Sequence, residues 1–518
     1  MMKKKSLALF ISLLFSCFSC APIPSKGKIE PTPVDPPEEK ETTINIVAFN
    51  DFHGAVEASG NNIGLANFGT YLKKKSEEKN TLILDQGDTW QGSIYSNYNH
   101  GNLINDVWAY AHVSARTVGN HDFDWGVDKL KINTIREYEG YVTPVLAANI
   151  YDYDFPNRQK GNTQQEDIGK KSVTYTLDNG LKVGIVGIIG KDQITSITST
   201  NTLDIYFKDH IPVLVEEATS LRENGCDVVI ASCHTGQESL VGNNLSNYFD
   251  LVLCGHTHQS EISKENGMTY AQFGSYGTEL GDIQLTYSYE DKKVINTTVK
   301  EIYGNDVKEY IGGTADPKIT QLISQYNSEC DEAANEIVAS NVSGYFDRNE
   351  AACNLMCKAI TEQAIEEGFN DIIFSFCNES RSSIYSRTGS WNYANLYQAF
   401  PFDNIIYIVE VTGKDIIDEV FNWNNVCYNP SFDYKIDKNK TYKIAVIDFL
   451  IYHMNVNKEF DFFPSFTGNP IGHLNDNYRV ILKNWLSKNG YKNGKELNSY
   501  DFSSDQDQFN KRLMQEVQ

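Results

Sequence analysis

Five short apolar runs in this chain break off into side chains that bind protons or cations. Ile44–Phe49 runs into Asn50-Asp51-Phe52-His53, Leu82–Leu84 into Asp85-Gln86-Gly87-Asp88, and Ala115–Val118 into Gly119-Asn120-His121-Asp122-Phe123-Asp124. Val228–Ser232 leads to Cys233-His234-Thr235-Gly236, and Leu251–Cys254 to Gly255-His256-Thr257-His258. Apolar runs of this length, separated by amphipathic stretches such as 64–78, 126–138 and 211–224, predict strands alternating with helices, and so an α/β domain with much parallel sheet. The carboxyl ends of strands in an open α/β sheet lie along one edge, where sites form. The pattern therefore predicts that Asp51, His53, Asp88, Asn120, His234, His256 and His258 meet in space despite their distance along the chain.

Seven nitrogen and oxygen donors are too many for one tetrahedral zinc. They suit two divalent ions that share a carboxylate. Asp88 is the expected bridge, with Asp51, His53 and His258 completing one site and Asn120, His234 and His256 the other. The set has no thiolate, so zinc, manganese, iron and nickel all remain open. Two ions about 3.5–4 Å apart can lower the pKa of a shared water and clamp a tetrahedral phosphorus. Ions would also answer a problem of charge. With 68 acidic residues against 45 basic ones and a formal charge of −23, the chain has no general basic surface for nucleic acid. An anionic substrate would need a local positive field, which bound cations supply.

The two ends of the chain read differently. Lys3–Lys5 followed by the apolar run Leu7–Phe18 is too short to span a bilayer and has the form of a signal peptide, expected over residues 1–20. A small residue before Cys17 (or Cys20) predicts a lipid anchor there. Residues 21–43, rich in proline and charge, predict a tether. The expectation is an exported protein, lipid-anchored to a bacterial cell envelope. The other eight cysteines show no C-x-x-C spacing and no pairing. Beyond residue 310, a polar helix near 316–339 predicts a connector over 311–339. A second α/β domain is expected over 340–518, with a helix near 350–367 and strands near 371–374, 405–411 and 442–447.

Taken in order, DFHG at 51–54, GDTWQGS at 87–93, GNHDFDWG at 119–126, HTG at 234–236 and GHTH at 255–258 resemble the calcineurin-like dinuclear metallophosphoesterases. GNHDFDWG, with GDxxQGS upstream and a second domain downstream, resembles the 5′-nucleotidase family, which includes bacterial UDP-sugar hydrolases. The resemblance implies a four-layer β-sandwich flanked by helices over 44–310, joined by a long helix to a substrate-binding α/β domain. It implies hydrolysis of 5′-nucleotides or related nucleotides, such as a UDP-sugar or a 2′,3′-cyclic nucleotide, by attack of a hydroxide held between two divalent ions, zinc, manganese or similar. It also casts His121 as the histidine that faces the substrate and Asp124 as its partner. An imidazolium there can protonate a departing alkoxide or stabilise phosphoryl charge, and a carboxylate three residues on holds the ring and favours its charged form. Asp122 reads as structural, as do His100, His112, His210, His453 and His473.

In the second half, Glu350-Ala-Ala-Cys-Asn354-Leu355, Asn378-Glu-Ser-Arg381 and Phe400-Pro-Phe-Asp-Asn404 resemble the helix start, phosphate-side loop and turn of the family's C-terminal domain. The resemblance implies that Arg381 contacts phosphate, a task suited to a guanidinium fork. It implies too that Phe402 and Phe463 sandwich a nucleobase. The chain departs from the pattern where glycines are usual: Glu379-Ser380 stands in one loop and Phe460 and Phe462 in another, adding bulk and charge where backbone would approach a ligand. Two alternatives follow, the same metal chemistry on a non-nucleotide phosphate ester or sulfur-group substrate, and a surface binding protein with a vestigial site.

Overall fold

The computed structural model describes residues 40–155, 157–385, 389–422, 426–427, 436–455, 457 and 459–503. The expected signal peptide, Cys17, Cys20 and most of the expected tether lie outside the described residues. The first strand spans Glu41–Phe49 and so includes the last three residues of the expected 21–43 tether.

Residues 41–303 build two six-stranded sheets. The first runs, edge to edge, Lys293–Tyr303, Glu279–Ser288, Glu41–Phe49, Thr81–Asp85, Ala115–Thr117 and Val145–Leu146. Its last four strands are parallel, and Phe49 is level with Asp85, which is level with Arg116. The second runs Glu261–Glu265, Met268–Gln272, Leu251–Leu253, Val228–His234, Lys182–Ile189 and Ser172–Thr176, with a parallel centre. Strict alternation explains the layering, because successive side chains on a strand face opposite ways. Ile44, Ile46, Ala48, Leu82 and Leu84 of the first sheet meet Val183, Ile185, Val228, Ile230 and Leu253 of the second in an apolar interlayer. Val47, Phe49 and Ile83 turn outward beneath the helix Leu65–Ser76, which buries Phe68, Tyr71 and Leu72. Val186, Ile188, Val229 and Val252 turn outward beneath the helix His210–Glu223. The result is helix, sheet, sheet, helix.

This corrects one expectation. The strand ends that carry the seven donors belong to two sheets, not to one open sheet. Asp51, His53, Asp88 and Asn120 follow strands of the first, whereas His234, His256 and His258 belong to or follow strands of the second. Packing the two sheets face to face brings their carboxyl edges together.

A satellite three-stranded sheet of Gln159–Gln164, Ile150–Asp154 and Ile205–Phe207 lies outside this sandwich, with its own small cluster of Tyr151, Tyr153 and Tyr206. Further on, the helix expected over 316–339 starts after the Asp316 cap with proline at its first position and ends at Ala334. Ile337–Ala339 is instead a strand paired with Trp391–Asn392, where β-branched Ile337 and Val338 favour extension. The C-terminal sheet orders Val426–Cys427, Ile372–Phe376, Thr441–Ile447, Ile405–Thr412 and Gly472–Asn477, with the helices Ala351–Glu366 and Tyr478–Lys488 packed together beside it. The apolar core continues from Val47 through Ile319 and Leu322 of the Pro317–Ala334 helix to Phe374 and Phe502. Among the described residues, no helix is long and apolar enough to cross a membrane.

Candidate metal centre and its cavity

The structure brings all seven donors together. Asp51, His53 and His258 form one cluster, and Asp88, His234 and His256 a second, each with its ligand atoms within 4.8 Å of one another. Asp88 Oδ2 lies 3.7 Å from His53 Nε2 and 3.3 Å from His234 Nε2, so one carboxylate oxygen faces both clusters. Asn120 Oδ1 lies 2.9 Å from His256 Nδ1 and 3.1 Å from His234 Nε2. Asp51 Oδ1 is 3.4 Å from His258 Nε2.

The backbone is bent to achieve this. Asp51, His53, Asp88, His256 and His258 have φ of 49°, 47°, 54°, 75° and 58°, left-handed values that side-chain-bearing residues seldom adopt. Each costs on the order of 1–3 kcal/mol and persists only where the surroundings demand it. Two glycines make room. A Cβ on Gly119 would fall 2.2 Å from Asp88 Oδ1, and Gly87, at φ +95°, brings its backbone against the His234 ring. The loop after Thr117 is a single turn of 3₁₀ helix, Asn120–Phe123, pinned by Asp122, whose Oδ2 accepts from the Gly119 amide at 2.9 Å. Asp122 is therefore a clamp on the loop that presents Asn120 and His121.

Tautomers are set by backbone carbonyls. His53 Nδ1–H donates to the Gln91 carbonyl at 2.9 Å and His234 Nδ1–H to that of Gln86 at 2.8 Å, aiming both Nε2 atoms inward. The electrostatics call for cations. Burial disfavours charge on His234, yet Asp88 and Asp51 push it up to about 10. Burial and the neighbouring His234 push His256 down to about 4. Asp51 Oδ1 is buried without a hydrogen-bond partner, and two imidazole nitrogens, His53 Nε2 and His258 Nε2, converge to 3.0 Å. An orphaned carboxylate oxygen among inward-facing nitrogens fits a pair of divalent ions, with Asp51, His53, Asp88 and His258 able to hold one and Asp88, Asn120, His234 and His256 the other.

A cavity of about 640 Å³ opens from Asn120 and His256 toward the C-terminal sheet. His121 and Asp124 line it, with Asp124 Oδ2 accepting from His121 Nδ1 at 2.9 Å. Burial opposes charge on this ring, but Asp124 and Asp88 prevail and raise its pKa above the ordinary 6.5. Arg381 reaches the centre itself: its Nε donates to the Tyr276 hydroxyl at 2.8 Å and an Nη to His53 Nε2 at 3.0 Å. The Glu379 carboxylate that replaces a family glycine pairs with Arg348, leaving Arg381 its charge. Phe402 also lines the cavity and stacks on His121, with ring centroids 5.4 Å apart and planes at 22°.

Phe463 does not line the cavity. It is 1% exposed and packs edge-on against Phe376 in the core. Its neighbour Phe462 faces the cavity instead, 4.1 Å centroid to centroid from His453, with Phe449 nearby. Adjacent residues face opposite ways here, so a shift of one position exchanges core for cavity. His453, read from the sequence as structural, is buried and also lines the cavity. Tyr276 and Arg116 carried no sequence signal. Tyr276 sits alone in a turn, and Arg116 occupies an apolar strand, where its guanidinium lies 3.8 Å over Trp90 close to Asp85 and Asp122.

Residues 44–260 match the calcineurin-like phosphoesterase family. Fold and centre thus define the class, a metal-dependent phosphoester hydrolase of calcineurin-like architecture. Within that class the chain is similar to 5′-nucleotidases along most of its length. It is 24% identical over 424 residues to a 5′-nucleotidase of Diplobatis ommata, covering 72% of this chain and 69% of that one. It is 22% identical over 435 residues to the endonuclease YhcR of Bacillus subtilis, covering 77% of this chain but only 34% of that longer protein. The structure of a 5′-nucleotidase precursor from Thermus thermophilus superposes with a TM-score of 0.69 at 17% identity, covering 88% of this chain and 97% of the other.

Proposed function

We propose that this chain hydrolyses 5′-nucleotides or related nucleotides, such as a UDP-sugar or a 2′,3′-cyclic nucleotide. The observation that carries the reading is that one cavity of about 640 Å³ presents Asn120 and His256 of the ion cage, the His121–Asp124 pair, Arg381 and the rings of Phe402 and Phe462 to the same ligand. A volume of this size suits a nucleotide. Two divalent ions held by the cage would place a strong positive field on phosphorus and its oxygens.

The remaining work falls to the chain's own groups. Arg381, anchored on Tyr276, offers guanidinium N–H groups to phosphate oxygens. His121 has Nδ1 committed to Asp124, so its Nε2 side is the one able to pass a proton to the departing oxygen. Phe402 and Phe462 offer ring faces to a base and keep water from the reacting centre. The similarity to 5′-nucleotidases supports this choice of substrate. Phosphate release from AMP, UDP-glucose, 2′,3′-cyclic AMP and an aryl phosphate, with and without manganese, tests it. Turnover of at least one nucleotide well above that of the aryl phosphate is expected; strong aryl phosphatase activity with no nucleotide turnover would overturn it.

We also propose export and lipid anchoring, on the strength of Lys3–Lys5, the apolar run to Phe18, and Cys17 (or Cys20). Incorporation of labelled palmitate that is lost on C17A or C20A is the expected result, and no incorporation would refute it.

A further inference from the structure

The satellite sheet is not needed to complete either six-stranded sheet, yet it builds a cavity of its own. Lys160 and Lys191 line a space of about 600 Å³ together with Arg158 and Lys208, and Asp209 is the one carboxylate among the described lining residues. This runs against a composition of 68 acidic to 45 basic residues. None of the four cations has an ion-pair partner among the described residues. Two are steered by aromatic rings instead: the Lys208 ammonium lies 3.4 Å over Tyr151 and that of Lys160 5.4 Å over Tyr206. A ring face orients a cation without neutralising it. Four unpaired like charges around one space raise its potential, and an anion with several acceptor oxygens relieves that repulsion.

The cavity adjoins the substrate pocket. The short helical turn Lys191–Ser196 presents Lys191 and Ile194 to the basic cavity, and Thr195 and Ser196 to the pocket beside the ion cage.

We infer that the basic cavity under the satellite sheet binds a phosphate group, in addition to the one cleaved at the ion cage. A dianion with several oxygens uses four cationic side chains lining one space better than a single carboxylate does. The phosphate has two possible sources: a further phosphate of the substrate itself, which rests on the nucleotide reading, or free inorganic phosphate.

The test uses the full chain loaded with manganese, compared with Lys191→Gln/Lys208→Gln; neither lysine belongs to the ion cage or its pocket. Calorimetry with inorganic phosphate should count two sites per wild-type chain and one in the double variant, with the lost site the more salt-sensitive. Substrate-borne phosphate would show as a KM for adenosine 3′,5′-bisphosphate about tenfold below that for AMP in the wild type, and equal KM values in the variant. Lys208→Glu alone should abolish either effect, guarding against a folding defect confined to the double variant. The same phosphate count in all three proteins, with an unchanged ratio of the two KM values, overturns the inference. If neither nucleotide is hydrolysed, the nucleotide reading fails while the phosphate count still decides the site.

Discussion

Arg381 donates an N–H to His53 Nε2 across 3.0 Å, joining residues 328 positions apart. One belongs to a loop beside the C-terminal sheet and the other to the ion cage. The contact means that the second half of the chain reaches into the metal centre rather than merely covering it. That nitrogen cannot accept an N–H and hold a cation at once, so a cation held there would displace this contact, while Tyr276 accepts from the guanidinium Nε.

Replacing Arg381 by alanine should therefore leave ion content unchanged and weaken substrate binding. A charge-assisted hydrogen bond of about 1.5–3 kcal/mol corresponds to a rise in KM of roughly 10–100-fold. Paired metal analysis and steady-state kinetics measure the split. A loss of ions, or an unaltered KM, would contradict the role.

Among the described residues, Asp88 is the carboxylate whose oxygen faces both clusters. Asp88→Ala should drop the content to less than one ion per chain and abolish turnover. Chelation of the wild-type protein should do the same reversibly and lower its melting temperature, since ligands that bind only the folded state stabilise it. Metal analysis beside thermal melts provides the check.

His121→Ala should keep both ions and lose about 10²–10⁴-fold in kcat, the usual scale for a positioned proton donor. Asp124→Asn should cost less, because the ring remains in place. A near-normal rate in His121→Ala would remove it from the chemistry.

The two phenylalanines separate binding from folding. Phe402→Ala should raise KM for a nucleotide far more than for a small aryl phosphate, as loss of about 1–3 kcal/mol of base stacking requires. Phe463→Ala should leave that ratio alone and lower stability by about 3–5 kcal/mol, since its ring is wholly in the core. Kinetics on two substrates and a urea titration distinguish them.

Asp448 provides a pH dependence away from the ion cage. Burial, with Asp124 and Asp403 adding repulsion, pushes its carboxyl from 3.8 to about 7 in spite of two backbone N–H donors. A group that ionises later in the folded than in the unfolded chain stabilises the fold fully below about pH 4. That contribution is lost as pH rises toward 7, on the order of 4 kcal/mol in all. Asp448→Asn should flatten the decline in unfolding free energy over that window; an unchanged slope would show that other groups produce it.

Much of this was legible before any coordinates. Each donor follows an apolar run whose period and abrupt end are local properties, so the order of strands and the polar residues at their ends could be read directly. The Pro317–Ala334 helix was visible as a long polar stretch beginning near 316, and the structure starts it after an Asp316 cap. Its end was overrun, because pairing of Ile337–Ala339 with Trp391–Asn392 is decided by a strand more than fifty residues away. The aromatic segment at 460–463 lacks the alternation that would tell Phe462 from Phe463, and Tyr276 stands in a turn without any period.

By itself, the sequence determined the inventory: which chemical groups sit at the ends of which strands, and hence that oxygen and imidazole donors suited to a pair of cations would be available. Tertiary structure decided how they were divided between two facing sheets, which of two adjacent phenylalanines met the cavity, and that Arg381 and Tyr276 closed on His53. The physical reason is that strand and helix periodicities are encoded over a few neighbouring residues, whereas sheet packing, loop parity and long-range closure depend on partners that only the folded chain brings within reach.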